Sequence, residues 1–127
     1  MNYYIITLNG EDIKLRLTSA DSVEIEKKTG VKLLDFIQDY SITTITTLLK
    51  YMRRSDVPNF SEKDAFVLYD RLIDNGYTLE DIIFKVIYET CVVSGFLKKS
   101  DLEDMENFKK ESQATLMEKK KQEILQK

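Results

Sequence analysis

Thr78-Leu79-Glu80-Asp81-Ile82-Ile83-Phe84-Lys85-Val86-Ile87-Tyr88-Glu89-Thr90-Cys91-Val92-Val93-Ser94-Gly95-Phe96 is the stretch whose reading decides the fold. Its apolar positions, Leu79, Ile82, Ile83, Phe84, Val86, Ile87, Cys91, Val92, Val93 and Phe96, cover far more than half of a helix circumference. The polar remainder, Asp81, Lys85 and Glu89, returns at every fourth residue and forms one narrow stripe. Thr78 with Asp81 three positions on offers an N-cap, Glu80 and Asp81 suit the positive end of the dipole, and Gly95 sits where such a helix would stop. The run is rich in β-branched residues, so a buried strand competes with this reading. Length and charge spacing favour a central helix covered on most sides.

Working outward, the N-terminus reads as a hairpin. Tyr3–Leu8 and Glu11–Leu17 flank Asn9-Gly10, and a two-residue type I′ turn requires the positive φ that Asn-Gly supplies. Ile13, Leu15 and Leu17 alternate with Asp12, Lys14 and Arg16, so one face is covered and one is wet. An isolated two-stranded hairpin is marginal in water, and its apolar face must lie on helices or on a partner's sheet. Its unpaired edge offers a neighbour a place to add a strand, unless Lys14 and Arg16 guard it.

Between hairpin and central helix the spacing predicts four shorter helices. The first starts among Thr18–Asp21 and runs to about Lys28, with Gly30 behind it. A second lies around Leu33-Leu34-Asp35-Phe36-Ile37. The threonines of 41–52 favour strand, yet Ile42, Ile45, Leu48, Leu49 and Met52 recur at helical spacing, and helix is the expectation. After the loop at Pro58, Ser61–Asp64 opens a helix with a stripe of Phe66, Tyr69, Leu72 and Ile73, ending at Asn75-Gly76.

Beyond Lys99 the composition changes. Ser100 and Glu103 form a candidate capping box, acidic residues crowd 101–106, and lysines dominate the far end. The expected organisation is therefore α+β: residues 1–99 as a hairpin packed on a bundle of about five helices, and 100–127 as a polar helical tail. As one helix the tail would extend about 42 Å. Met105, Phe108, Leu116 and Met117 are then either sparse anchors for a helical partner or incidental members of a charged terminus.

The 127 residues carry a net charge of −3, which disfavours nucleic acid as a partner. No run approaches the roughly 20 apolar residues of a membrane span. Met1-Asn2-Tyr3-Tyr4 lacks a basic leader, and the single cysteine suits a reducing compartment, so a cytoplasmic protein is expected. There is no histidine, no phosphate-binding glycine loop and no plausible metal set. Cys91 reads as a small core residue, and Arg53-Arg54 as a polar helix terminus. No catalytic, cofactor or metal site is expected.

Taken in order, several stretches resemble one family over roughly residues 3–99. They are the hairpin leading into Leu15-Arg16-Leu17-Thr18, then Val23-Glu24-Ile25-Glu26-Lys27-Lys28-Thr29-Gly30, then Leu33-Leu34-Asp35. Tyr69-Asp70-Arg71-Leu72-Ile73-Asp74-Asn75-Gly76, Thr78–Ile83 and Val93-Ser94-Gly95-Phe96 complete the set. The chain is similar to the tail assembly chaperones of long-tailed (siphovirus-type) bacteriophages and prophages of Gram-positive bacteria. The resemblance implies a non-enzymatic protein of the host cytoplasm that coats the tape measure protein, recruits the major tail (tube) protein and is absent from the finished virion. It also implies a homo-oligomer and a longer, frameshifted form of the same chain; Lys119-Lys120-Lys121 is where an A-rich slippery run would fit. Two readings of other classes stand beside it, a head–tail connector component retained in the virion and an antitoxin-like regulatory protein that binds a partner. A gene lying between those of a tail tube protein and a tape measure protein favours the chaperone, and presence in purified virions favours the connector.

Overall fold

Asn9 and Gly10 both take positive φ, 51° and 79°, the left-handed pair that a type I′ turn needs. They join β1 (Tyr4–Leu8) to β2 (Glu11–Leu15) as an antiparallel ladder in which Tyr4 faces Leu15, Ile6 faces Ile13 and Leu8 faces Glu11. Ile6, Leu8, Ile13 and Leu15 are buried on the inner face, while Ile5, Thr7, Asp12 and Lys14 are exposed on the outer one. This is a computed structural model, and it describes residues 2–104. The chain divides into two units, Met1–Leu97 and Lys98–Lys127, against a boundary expected near Lys99.

Four helices follow the hairpin: α1 (Ser19–Thr29), α2 (Leu33–Phe36), α3 (Ile42–Arg54) and α4 (Glu62–Asp74). The central helix comes next, and the first unit is an α+β domain with the hairpin laid on helices. Helix starts are fixed by local chemistry. Thr18 with Asp21, Ser61 with Asp64 and Thr78 with Asp81 each form a reciprocal capping box. In the second unit residues 99–104 are helical. The cap there is Lys98, whose N–H donates to the Asp101 carboxylate at 3.1 Å, and not the expected Ser100. An acid at the third helical position accepts the bond, and Asp101 stands two residues ahead of Glu103.

The threonine-rich segment is helical, and the hydroxyls of Thr44, Thr46 and Thr47 are bonded locally. Ser41 caps α3, Thr44 Oγ1 donates to the Asp39 carboxylate at 2.9 Å, and Thr46 and Thr47 donate to the carbonyls of Ile42 and Thr43 at 2.9 and 2.8 Å. Ile45, Leu48, Leu49, Tyr51 and Met52 are buried, but Ile42, expected in the same stripe, is 47% exposed at the first turn. In α4 the buried face is Ala65, Leu68 and Leu72. The expected stripe through Phe66 and Ile73 is instead turned outward, at 42% and 40% exposure, with Tyr69 between the two faces. Both stripes have helical spacing, and packing against α3 selects the one whose small Ala65 permits close approach.

The central helix spans Leu79–Ile82 in α geometry, Ile83–Ile87 as a π turn and Tyr88–Val93 in α geometry again. Tyr88 N–H donates to Ile83 O, one residue further back than in an α-helix. Ile82–Phe84, Val86–Tyr88, Thr90 and Cys91 are all buried, and Lys85 alone among 82–88 is exposed. Polar residues at every fourth position would drift by roughly 40° per step on a regular α-helix. The extra residue of a π turn offsets that drift and keeps Asp81 and Lys85 paired on the surface at 3.4 Å. The helix ends in a Schellman motif: Phe96 N–H donates to Cys91 O at 2.9 Å, Gly95 N–H to Val92 O at 3.1 Å, and Gly95 takes φ 89°.

Candidate interaction groove

Among the depressions on the first unit, two are each walled by several elements of the fold. One, of about 300 Å³, lies between Ile13 of the hairpin, Arg53 in the last turn of α3, Val57 after it, and Leu68 and Arg71 of α4. Its charges are already engaged. Arg71 pairs with Glu11 at 3.1 Å, and Arg53 pairs with Asp56 at 2.8 Å and donates to Lys14 O at 3.3 Å. Arg54 donates Nε–H to Phe60 O at 2.8 Å, so the Arg53-Arg54 pair ties the 55–60 loop and the hairpin to α3. This depression is a seam of the fold.

The second, of about 510 Å³, runs between α1, α2 and the end of the central helix. Ser22 and Glu26 come from α1, Lys32, Leu33, Leu34 and Asp35 from α2 and its cap, and Gly95 and Phe96 from the Schellman turn. Leu33 is buried, Phe96 half-buried and Leu34 50% exposed, which leaves an apolar floor open to solvent. Glu26, Lys32 and Asp35 rim it, and among the described residues none of the three forms an ion pair. An apolar floor with unpaired charges of both signs is suited to one face of an amphipathic helix. The groove exists because α2 is a single turn: Leu33 turns inward and its neighbour Leu34 is forced outward. The adjacent leucines of 33–34 were the sequence signal for it, and only the tertiary position of Phe96 turns that signal into a groove.

Around Tyr51 three cations gather, Lys28, Lys50 and Arg54, at 5.7, 4.9 and 5.9 Å from the ring centre. Burial, and then the neighbouring Arg54 and Lys28, push the Lys50 ammonium below its ordinary range. Lys28 is offset by Glu24 at 2.9 Å, whose hydrogen bond holds the Glu24 carboxyl low.

Cys91 is fully buried, and burial pushes its thiol up to about 12, which suits a core residue and leaves no thiolate near neutral pH. Among the described residues no group of three or more acidic or cysteine side chains is placed to hold a metal ion. No helix among them is long and apolar enough to cross a membrane. Met105, Phe108, Leu116 and Met117, the partner-binding candidates from sequence, lie outside the described residues. No family model, curated protein or solved structure matches the chain.

Proposed function

We propose that this chain is a non-enzymatic tail assembly chaperone of a long-tailed bacteriophage or prophage. In this reading it acts in the host cytoplasm, holding the helical tape measure protein in a dispersed state and bringing major tail protein subunits to it. A longer frameshifted form of the same chain and further copies of it are its other partners.

One observation supports the reading above the rest. Glu26, Leu33, Leu34, Asp35, Gly95 and Phe96 belong to three separate stretches on which the family resemblance rests, and all six line the same groove. Residues far apart in sequence share a chemical task when they build one surface, and an apolar floor with a charged rim is suited to a long amphipathic client. The candidate anchors Met105, Phe108, Leu116 and Met117 would offer the client apolar contacts of their own.

Co-expression with the tape measure protein encoded beside it tests the reading. The full chain is expected to co-purify with that protein and keep it in solution, and Leu34→Asp or Phe96→Ala to lose most of it while melting as the parent does. A full chain that neither retains the tape measure protein nor prevents its aggregation overturns the proposal.

A further inference from the structure

The two edges of the hairpin are not equivalent. Lys14 O accepts from the Arg53 guanidinium and Arg16 N–H donates to Met52 O at 3.0 Å, so both residues point their backbone away from β1 and toward α3. That phase fixes the rest of the ladder, because inward and outward residues alternate in an antiparallel pair. Lys14 faces Ile5 and Asp12 faces Thr7, so the N–H and C=O groups of Ile5 and Thr7 point outward along the opposite edge. Among the described residues no backbone or side-chain group bonds to them there. Ile5 is 51% exposed and Thr7 is exposed.

The edge that Lys14 and Arg16 were expected to guard is therefore the one α3 already closes. β1 carries none of the usual guards: Tyr3–Leu8 contains no charge, proline or bulge. Every charge of the hairpin, Glu11, Asp12, Lys14 and Arg16, lies in β2 or directly after it.

We infer that the open edge of β1 is a strand-addition site and that its occupant is β1 of a second copy of this chain. A twofold axis through Ile6 puts Ile5 of one copy opposite Thr7 of the other, and both unpaired residues then exchange N–H and C=O bonds across the axis. An uncharged strand facing its own copy meets no like charges. The product is a four-stranded sheet with β2 at both rims, each rim closed by its own α3, so the pairing ends at two copies. The exposed Ile5 side chains meet Thr7 methyl groups on the outer face. The pairing follows from backbone geometry and stands or falls independently of the chaperone reading.

Sedimentation of the full chain across a concentration series, with amide hydrogen exchange at both ends of the series, tests it. The parent is expected to pass from monomer to dimer within the micromolar range, and the amides of Ile5 and Thr7 to exchange about tenfold or more slowly in the dimer. Ile5→Lys places two like charges near the axis, and Thr7→Pro removes an outward N–H that the ladder within one chain does not use. Both are expected to weaken dimerisation by about tenfold or more with circular dichroism unchanged. A parent that stays monomeric throughout overturns the inference, as it would if the edge accepts a strand of another protein. So does a dimer in which Ile5 and Thr7 exchange as fast as in the monomer, and that readout decides the matter even if the variants fail to fold.

Discussion

Leu17 N–H donates to Ser94 Oγ at 2.9 Å, across 77 residues of chain. Leu17 lies two residues past the end of β2, beyond the last ladder pair of Tyr4 with Leu15, and the hydroxyl from the end of the central helix takes the place that a longer β1 would fill. The bond ends the ladder and fastens the hairpin to the Schellman turn.

Ser94→Ala leaves that part-buried N–H without its partner. It is expected to lower stability by about 1 kcal/mol, at the modest end for an orphaned donor, with the slope of urea unfolding unchanged. An unchanged midpoint would show that the ladder ends without help from Ser94.

Val86 is fully buried within the π turn, and packing such a side chain stabilises by about 1.5–3 kcal/mol relative to exposure. Val86→Asp replaces that gain with a buried carboxylate, in a domain whose margin is only about 5–15 kcal/mol. Loss of cooperative melting is expected. The milder Tyr88→Phe removes the hydroxyl that donates to Ile37 O at 3.3 Å and bonds Tyr40 at 3.1 Å, and should cost about 1 kcal/mol by urea denaturation.

A single π turn is one residue more than a regular α-helix needs, so the flanking segments keep their faces if that residue is lost. Deleting the exposed Lys85 is expected to leave a cooperatively folded protein. Deleting Val67, also exposed but in regular α4, turns Leu68 and Leu72 away from α3 and should destabilise far more. Calorimetry of the two deletions gives the order; equal losses would argue against the π turn.

Acidification should destabilise the fold through its caps. Backbone N–H groups of Ser61 and Thr78, then the side-chain hydroxyls, hold the Asp64 and Asp81 carboxyls below the ordinary range. With folded values below the unfolded value of ~3.9, the unfolded chain binds more protons in acid. The contribution is complete above that value and is lost as pH falls through the folded ones. The urea midpoint should therefore drop below about pH 4, and Asp64→Ala with Asp81→Ala should flatten the drop. An unaltered acid slope in the double variant would remove the caps as its cause.

Cys91 should resist a thiol reagent in the folded protein and react once urea exposes it, since burial keeps the thiol protonated at neutral pH. Labelling at the native rate of a free thiol would place Cys91 outside the core.

What the sequence determined alone is what short-range chemistry controls. Asn9-Gly10 supplies two positive φ values, Thr18, Ser61 and Thr78 each find an acid three residues on, and Gly95 accepts a left-handed turn; none of these needs a distant partner. Three features were decided only by tertiary structure. Phe66–Ile73 and Ala65–Leu72 are equally helical stripes, and α3 determines which is buried. Polar residues at every fourth position read as an ordinary helical stripe, and the π turn appears only where Ile82–Phe84 and Val86–Tyr88 are packed into the core around the exposed Lys85. In the hairpin the alternation of side chains specified the faces, while the carbonyl of Met52 and the guanidinium of Arg53 determined which edge is closed. Backbone bonding between elements leaves no periodicity in either sequence, so the open edge of β1 could be read only once α3 was in place.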